Sequence, residues 1–333
     1  MTQLSARPGT IPATIAGIGV YRPRRVVTNE EVCRHIDSSP RWIERRSGIR
    51  TRRFAQPDET LPEMGAMAGA KALADAGADP ADVDFLVVAT MSQTGPASGR
   101  RGALPEAIAA RLGLRAATVG VGAACSGFTV ALNLAAGSVR SGASRCALVI
   151  GTERMSDIVS PTDRGTAFLF SDGAGAVLLV PSETAGIGPA VWGSDTRLAE
   201  AITVGPTREP DRAGPEPTLR MAGNSVFRWA VTALPGVVRD ILDRSGLTVT
   251  DINAFIPHQA NMRITDAVAQ AVGFPESVVI ARDIADQGNT SAASIPLATE
   301  RLRTSGRVQR GDLALLLGFG AGLSYAGMVV TVP

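Results

Sequence analysis

Residues 119–135 read VGVGAACSGFTVALNLA. A glycine-punctuated, strand-like run reaches Cys125, and beyond it apolar residues recur at helical spacing. A strand that turns directly into an apolar helix is the joint of an α/β layer. A thiol at that joint lies at a helix N-terminus, where the positive end of the dipole favours thiolate and lowers its pKa from about 8.5. The position predicts chemistry for Cys125, against the plain alternative of a small packed hydrophobe. Cys146, in RCALVIG on an apolar strand, reads as packing.

Outward from this joint the pattern alternates. Strand-like runs ATIAGIGVY, VDFLVVATM, ATVGVGAA, RCALVIGTE and GAGAVLLVP are separated by helical stretches at 62–77 and 126–141. After a breaker-rich zone at PSETAGIGP the theme returns in INAFIPHQA, SVVIARDIA, DLALLLGFG and YAGMVVTVP. ADPADVDFLVVATMS (78–92) parallels LTVTDINAFIPHQAN (247–261), and the stretch from Cys125 to Gly151 parallels that from Asn289 to Gly318. The reading is α/β with largely buried strands, in two related halves, 1–184 and 185–333. Stacked about an approximate two-fold, the halves would place Cys125 and Asn289 at equivalent helix N-termini. His258, ending a second-half strand, would join them where such sheets hold ligands. Taken singly, His258 could be a satisfied core histidine and Asn289 a helix cap.

Bulk properties exclude other classes. The chain has 333 residues, 45% hydrophobic and 19% charged, with net charge +2. That describes a packed globule, without the field expected of a nucleic-acid binder. No apolar run approaches the roughly 18 residues of a membrane span, and the N-terminus lacks a signal-peptide core, so a cytoplasmic protein is expected. Three cysteines are too few for a disulfide framework. The single lysine, Lys71, lies on the wet face of an amphipathic helix, and Cys33 and His35, two apart, point to different faces of an early helix, so neither a Schiff base nor a metal site is expected.

The motifs GIGVYRPRRVVTNEEV, WIERRSGIR, GAACSGF, PTDRGTAFLFSDGAGAVLL, MAGNSVFRWAV, IPHQANMRI, GNTSAAS and GFGAGLSY span nearly the whole chain. Through them it resembles the β-ketoacyl-acyl-carrier-protein synthase III family, the chain-initiating condensing enzymes. The resemblance implies a thiolase-like fold, duplicated βαβαβαββ halves forming a five-layered α-β-α-β-α core. It implies an acyltransferase that performs decarboxylative Claisen condensation of an acyl-CoA with malonyl-acyl-carrier protein, in fatty-acid or polyketide initiation. Cys125 would be acylated, and His258 and Asn289 would assist decarboxylation. The backbone N–H groups of Cys125 and Ala321 would meet the tetrahedral oxyanion. Trp42 and Arg164 would sandwich the CoA adenine, Asn224, Phe227 and Asn261 would line the pantetheine tunnel, and Arg263 would dock acidic acyl carrier protein, unless it is merely a solvated face. No metal or other cofactor is implied, and the family forms homodimers.

Two departures stand out. Where the family has three glycines this chain has GFGAGLS, so Ala321 must adopt a conformation its Cβ permits. The stretch 90–108 is long and basic and lacks the usual phenylalanine that closes the acyl pocket, leaving acyl specificity open. Arg100 and Arg101 there either line an entrance for an acidic group or decorate a loop. The clusters RPRR and RRSGIRTRR read as surface charge. A dinucleotide oxidoreductase is disfavoured because Cys125 displaces the third glycine of the fingerprint, and a non-catalytic condensing partner because Cys125 is present. An acyltransferase passing acyl groups to a hydroxyl or amine remains the competing reading. Asn289, where such transferases tend to carry an acid, favours condensation.

Overall fold

The computed structural model describes Leu4 and residues 9–92, 104–205 and 218–333. Arg100 and Arg101 lie outside the described residues. Two five-stranded sheets form the frame. The first contains β1 (Ala13–Tyr21), β2 (Phe85–Ala89), β3 (Ala117–Val121), β4 (Ala147–Glu153) and β5 (Gly173–Pro181), and the second β6 (Val191–Ser194), β7 (Ala254–Pro257), β8 (Val279–Ile280), β9 (Leu313–Gly320) and β10 (Ser324–Thr331). Their spatial orders are β1-β5-β4-β2-β3 and β6-β10-β9-β7-β8. These are the same path through the sheet, with the same senses: β2 is parallel to β3 and β4, and β5 antiparallel to β4 and β1, as β7 is to β8 and β9, and β10 to β9 and β6.

The helices repeat with the strands. Helices α1 (Leu61–Ala76), α2 (Leu104–Leu112) and α3 (Gly127–Arg140) follow β1, β2 and β3, and α4 (Gly223–Ser245), α5 (Met262–Val272) and α6 (Ser294–Thr304) follow β6, β7 and β8. Each half is therefore βαβαβαββ.

Side-chain alternation explains the layering. On β2, Val87 and Ala89 join the central core while Leu86 and Val88 face α1 and α2. On β9, Ala314 and Leu316 point inward and Leu315 and Leu317 outward to α4 and α5. Strands covered on both sides cannot show a polar face, which is why they read as continuous apolar runs. Between the sheets, Phe128, Ala131, Leu132, Ala135, Ala136 and Val139 of α3 pack with Ile295, Ala298 and Leu302 of α6. The order is α-β-α-β-α, with α3 and α6 as the middle layer.

Helix α1 is closed by ordinary signals. Thr60 caps α1 by accepting from the Glu63 N–H, and Gly77 ends it in the left-handed region. The middle helices α3 and α6 have no side-chain cap at their N-termini. Their first amides bond back into the short 3₁₀ turns ahead of them, Gly127 N–H to the Ala124 carbonyl and Ser294 N–H to the Ser291 carbonyl, at the end of the sheets where the site forms.

A cap fills that end. Residues between β1 and α1 and between β4 and β5 bring Val27, Ile43, Ile49, Met155, Ile158, Phe168 and Phe170 into one cluster. Arg52 corrects the reading of RRSGIRTRR as surface charge. It is fully buried, and its guanidinium donates to the Val27 and Phe168 carbonyls and to Asn29 Oδ1. Desolvation lowers its pKa to about 10; the arginine ties the cap to its floor.

Candidate active site

Cys125, His258 and Asn289 line one cavity of about 110 Å³, together with Met91, Phe168, Phe170, Phe319 and Gly320. All three polar residues are buried. The expected equivalence of Cys125 with Asn289 is off by three positions. Cys125 lies in the short 3₁₀ turn Ala124–Ser126 before α3, and the matching turn before α6 is Ser291–Ala293. Ala124 and Ser291, at φ 45° and 46°, are the left-handed non-glycine residues among those described. Cys125 therefore matches Ala292, and Asn289 reaches the cavity from the extended segment ahead of the turn, bridged to Phe170.

Two polar groups are oriented by their neighbours. Asn289 Oδ1 accepts from the Ser291 N–H at 2.9 Å, which anchors the carbonyl side of the amide and leaves Nδ2 as a donor. His258 Nδ1 meets Ser294 Oγ at 2.7 Å, and that hydroxyl also accepts from the Gln259 N–H at 3.3 Å. The Gln259 N–H takes one of the two serine lone pairs; with the serine hydrogen turned to Nδ1, the imidazole proton sits on Nε2, the tautomer that presents a donor to the cavity. Phe319 stacks edge-on against the ring, 5.3 Å between centroids.

Burial pushes the His258 imidazole down to about 3. Its folded value lies below its unfolded one of about 6.5, so the stability tied to neutral His258 is present above that pH and lost as pH falls toward 3. The chain has two histidines. The NMR signals of His258, assigned by their loss in His258→Gln, are expected to stay constant from pH 5 to 8; a titration in that window rejects a neutral donor.

Cys125 departs from expectation. Burial pushes its thiol up to about 12, with a smaller opposing contribution from Ser291. A helix dipole is worth at most about 2 kcal/mol, whereas full desolvation moves a pKa by 3 to 5 units. Desolvation wins, and the resting group is a thiol.

The C-terminal loop resolves the question about Ala321. The left-handed burden falls on Gly322 at φ 126°, not on Ala321. Gly320 is the position that must be glycine, since a Cβ there would lie 2.6 Å from Cys125 Cβ and 3.2 Å from its sulfur. Ser324 Oγ holds the Ala321 carbonyl at 2.9 Å and meets Ser126 Oγ at 2.8 Å, which ties the loop to the cysteine turn.

The remaining expected residues divide. Phe227, Asn261 and Arg263 line the cavity, with the Arg263 guanidinium over the Phe227 ring at 5.2 Å. Asn224 is exposed beside the cavity, where it accepts from Arg46. Trp42 and Arg164 sit farther out, and the guanidinium rests on the indole at 4.8 Å. A flat base between them needs two contacts of about 3.5 Å each, so Arg164 must swing away to admit one. Sequence reading missed Arg46, Ser294, Ser291 and Glu153. Glu153 alone left a signal, a charge ending the otherwise apolar run ALVIGT.

This architecture, with a buried cysteine facing a histidine and an amide at the ends of the two central helices, is that of a thiolase-fold condensing enzyme. Family models described as 3-oxoacyl-[acyl-carrier-protein (ACP)] synthase III match residues 120–196, and its C-terminal part residues 242–332. A β-ketoacyl-[acyl-carrier-protein] synthase III of Streptomyces lividans is 48% identical over 96% of this chain and 94% of its own. A mycobacterial β-ketoacyl-[acyl-carrier-protein] synthase III of Mycobacterium avium is 45% identical over all of this chain and 99% of its own. The crystal structure of the priming β-ketosynthase from the R1128 polyketide biosynthetic pathway superimposes with a TM-score of 0.91 at 47% identity, covering 99% of this chain and 98% of that one. The chain belongs to the β-ketoacyl-[acyl-carrier-protein] synthase III family.

Proposed function

We propose that this chain catalyses the decarboxylative Claisen condensation of an acyl-CoA starter with malonyl-acyl-carrier protein, the step that initiates a fatty-acid or polyketide chain. The observation that carries the reading is the convergence of a thiol, a neutral imidazole and an anchored amide on one apolar cavity. Cys125 attacks the acyl-CoA carbonyl and CoA departs, which leaves an acyl-cysteine thioester. The malonyl thioester then loses carbon dioxide, and negative charge builds on its thioester oxygen. His258 Nε2–H and Asn289 Nδ2–H suit that oxygen as donors, each worth about 3 to 4 kcal/mol in such a site. The carbanion attacks the acyl-cysteine, and the N–H groups of Cys125 and Ala321 stabilise the tetrahedral oxyanion.

Substrate handling follows the gradient of polarity outward. The pantetheine arm runs past Phe227 and Asn261, CoA adenine engages Trp42 and Arg164 once they part, and acidic carrier protein meets Arg263 and Arg46 at the rim. Acyl-CoA and malonyl-acyl-carrier protein are substrates, and this chemistry asks for no further cofactor. Among the described residues no helix is long and apolar enough to cross a membrane.

The test is incubation with a panel of acyl-CoAs and malonyl-acyl-carrier protein, followed by mass spectrometry. A β-ketoacyl product with loss of carbon dioxide is expected. Transfer of an intact acyl group to a hydroxyl or amine, with malonyl untouched, overturns the reading.

A further inference from the structure

The thiol of Cys125 must lose its proton before it can attack, and the groups already described serve that step poorly. His258 is held by burial far below the range of an effective base. Behind the cysteine lies a buried acid that the condensation leaves without a role. Glu153, the last residue of β4, is fully buried. Its carboxylate accepts from the Met91, Ser92 and Ala292 N–H groups and from the Thr90 and Ser92 hydroxyls.

Ser291 directly precedes Ala292, whose N–H binds the Glu153 carboxylate, in the turn that matches the one carrying Cys125. Its hydroxyl is fully buried and acts on both the Cys125 thiol and the Glu153 carboxyl. It forms a well-shaped hydrogen bond with neither, nor with any other group. An unpaired buried hydroxyl is costly to keep, and a serine so kept beside a nucleophile and an acid is placed to pass a proton.

Resting on the reading of Cys125 as nucleophile, we propose that Ser291 and Glu153 form a proton relay for acylation. As the sulfur attacks the acyl-CoA carbonyl, the thiol proton moves to Ser291 Oγ while the serine proton moves to a Glu153 oxygen. The new carbon–sulfur bond forms and the bond to the CoA sulfur breaks. The proton then returns through Ser291, and CoA leaves as its thiol. Ser291 regains its hydrogen and Glu153 its charge. Burial raises the Glu153 carboxyl to about 6 in spite of its donors, which makes it a better proton acceptor for a buried thiol than His258.

Ser291→Ala is the discriminating variant. Its backbone N–H to Asn289 is kept, no formed side-chain bond is lost, and alanine already holds the same left-handed conformation at Ala124. Single-turnover CoA release is measured with whichever of acetyl-, propionyl- and isobutyryl-CoA loads the wild type best, and alkylation by iodoacetamide at pH 7 is followed in parallel. Both are expected to slow by at least about tenfold. Decarboxylation of malonyl-acyl-carrier protein by enzyme acylated beforehand is expected to stay within about twofold of wild type. In mixed light and heavy water, the acylation rate of the wild type should show two protons in flight, and the variant should not. Glu153→Gln, if it folds, should match Ser291→Ala. Unchanged acylation in Ser291→Ala, or an equal fall in acylation and decarboxylation, overturns the relay. Neither result bears on the nucleophile itself, whose failure would show as an adduct that persists without Cys125.

Discussion

Cys125→Ala is expected to eliminate the covalent acyl adduct and to lower condensation by at least about a thousandfold, with Cys125→Ser little better. In the proposed reaction the sulfur holds the acyl chain while the carrier-bound substrate enters. A serine in its place presents a weaker nucleophile that must also lose a proton in a site that disfavours charge. Loss of folding will not explain the result. Cys125 is a small residue in a tight turn, and exchanging a sulfur for a methyl hydrogen there costs on the order of 1 kcal/mol. Intact-protein mass spectrometry after exposure to mixed acyl-CoAs reads the adduct directly, and its mass identifies the starter. Full turnover by either variant would remove the thiol from the reaction.

His258→Ala is expected to separate the two half-reactions. Acylation should persist to some degree, because burial makes the imidazole too weak a base for the thiol. Decarboxylation of the malonyl substrate should fall by about 10² to 10³, the usual consequence of removing one donor from a developing oxyanion in a water-poor site. The ring also packs against Phe319, so the melting temperature should be recorded with the rates. Carbon dioxide release by the acylated variant at the wild-type rate would show that His258 has another task.

Much of this fold is legible in the chain. The period of the apolar runs marks the buried strands, and the order of elements in one half is repeated in the other. The convergence of Cys125 with His258 and Asn289 follows from that repetition. What was not legible depends on depth. The dipole argument for a lowered thiol pKa is local, whereas the desolvation that outweighs it comes from burial in a cavity lined by residues remote in sequence, Phe168 and Phe319 among them. Arg52 reads as one more basic residue in RRSGIRTRR because nothing nearby announces that three acceptors from other segments surround its guanidinium. Polar landmarks pair Cys125 with Asn289, whereas the halves match at two strained backbone positions, Ala124 and Ser291, whose side chains give no sign of it in the sequence. Ser294 falls in the same class, since its value to His258 is set by a contact across 36 residues.

The matched turns at Ala124 and Ser291 also say something about ancestry. Two copies of one unit have kept the same sharp bend at the same place for different ends. In the proposed reaction one copy bears the attacking atom and the acid behind it, and the other contributes the imidazole, the amide and the relaying hydroxyl. On that reading a lone half would own a nucleophile without the imidazole and amide that serve its partner substrate, or those two with nothing to assist, so once the copies had specialised neither could be discarded.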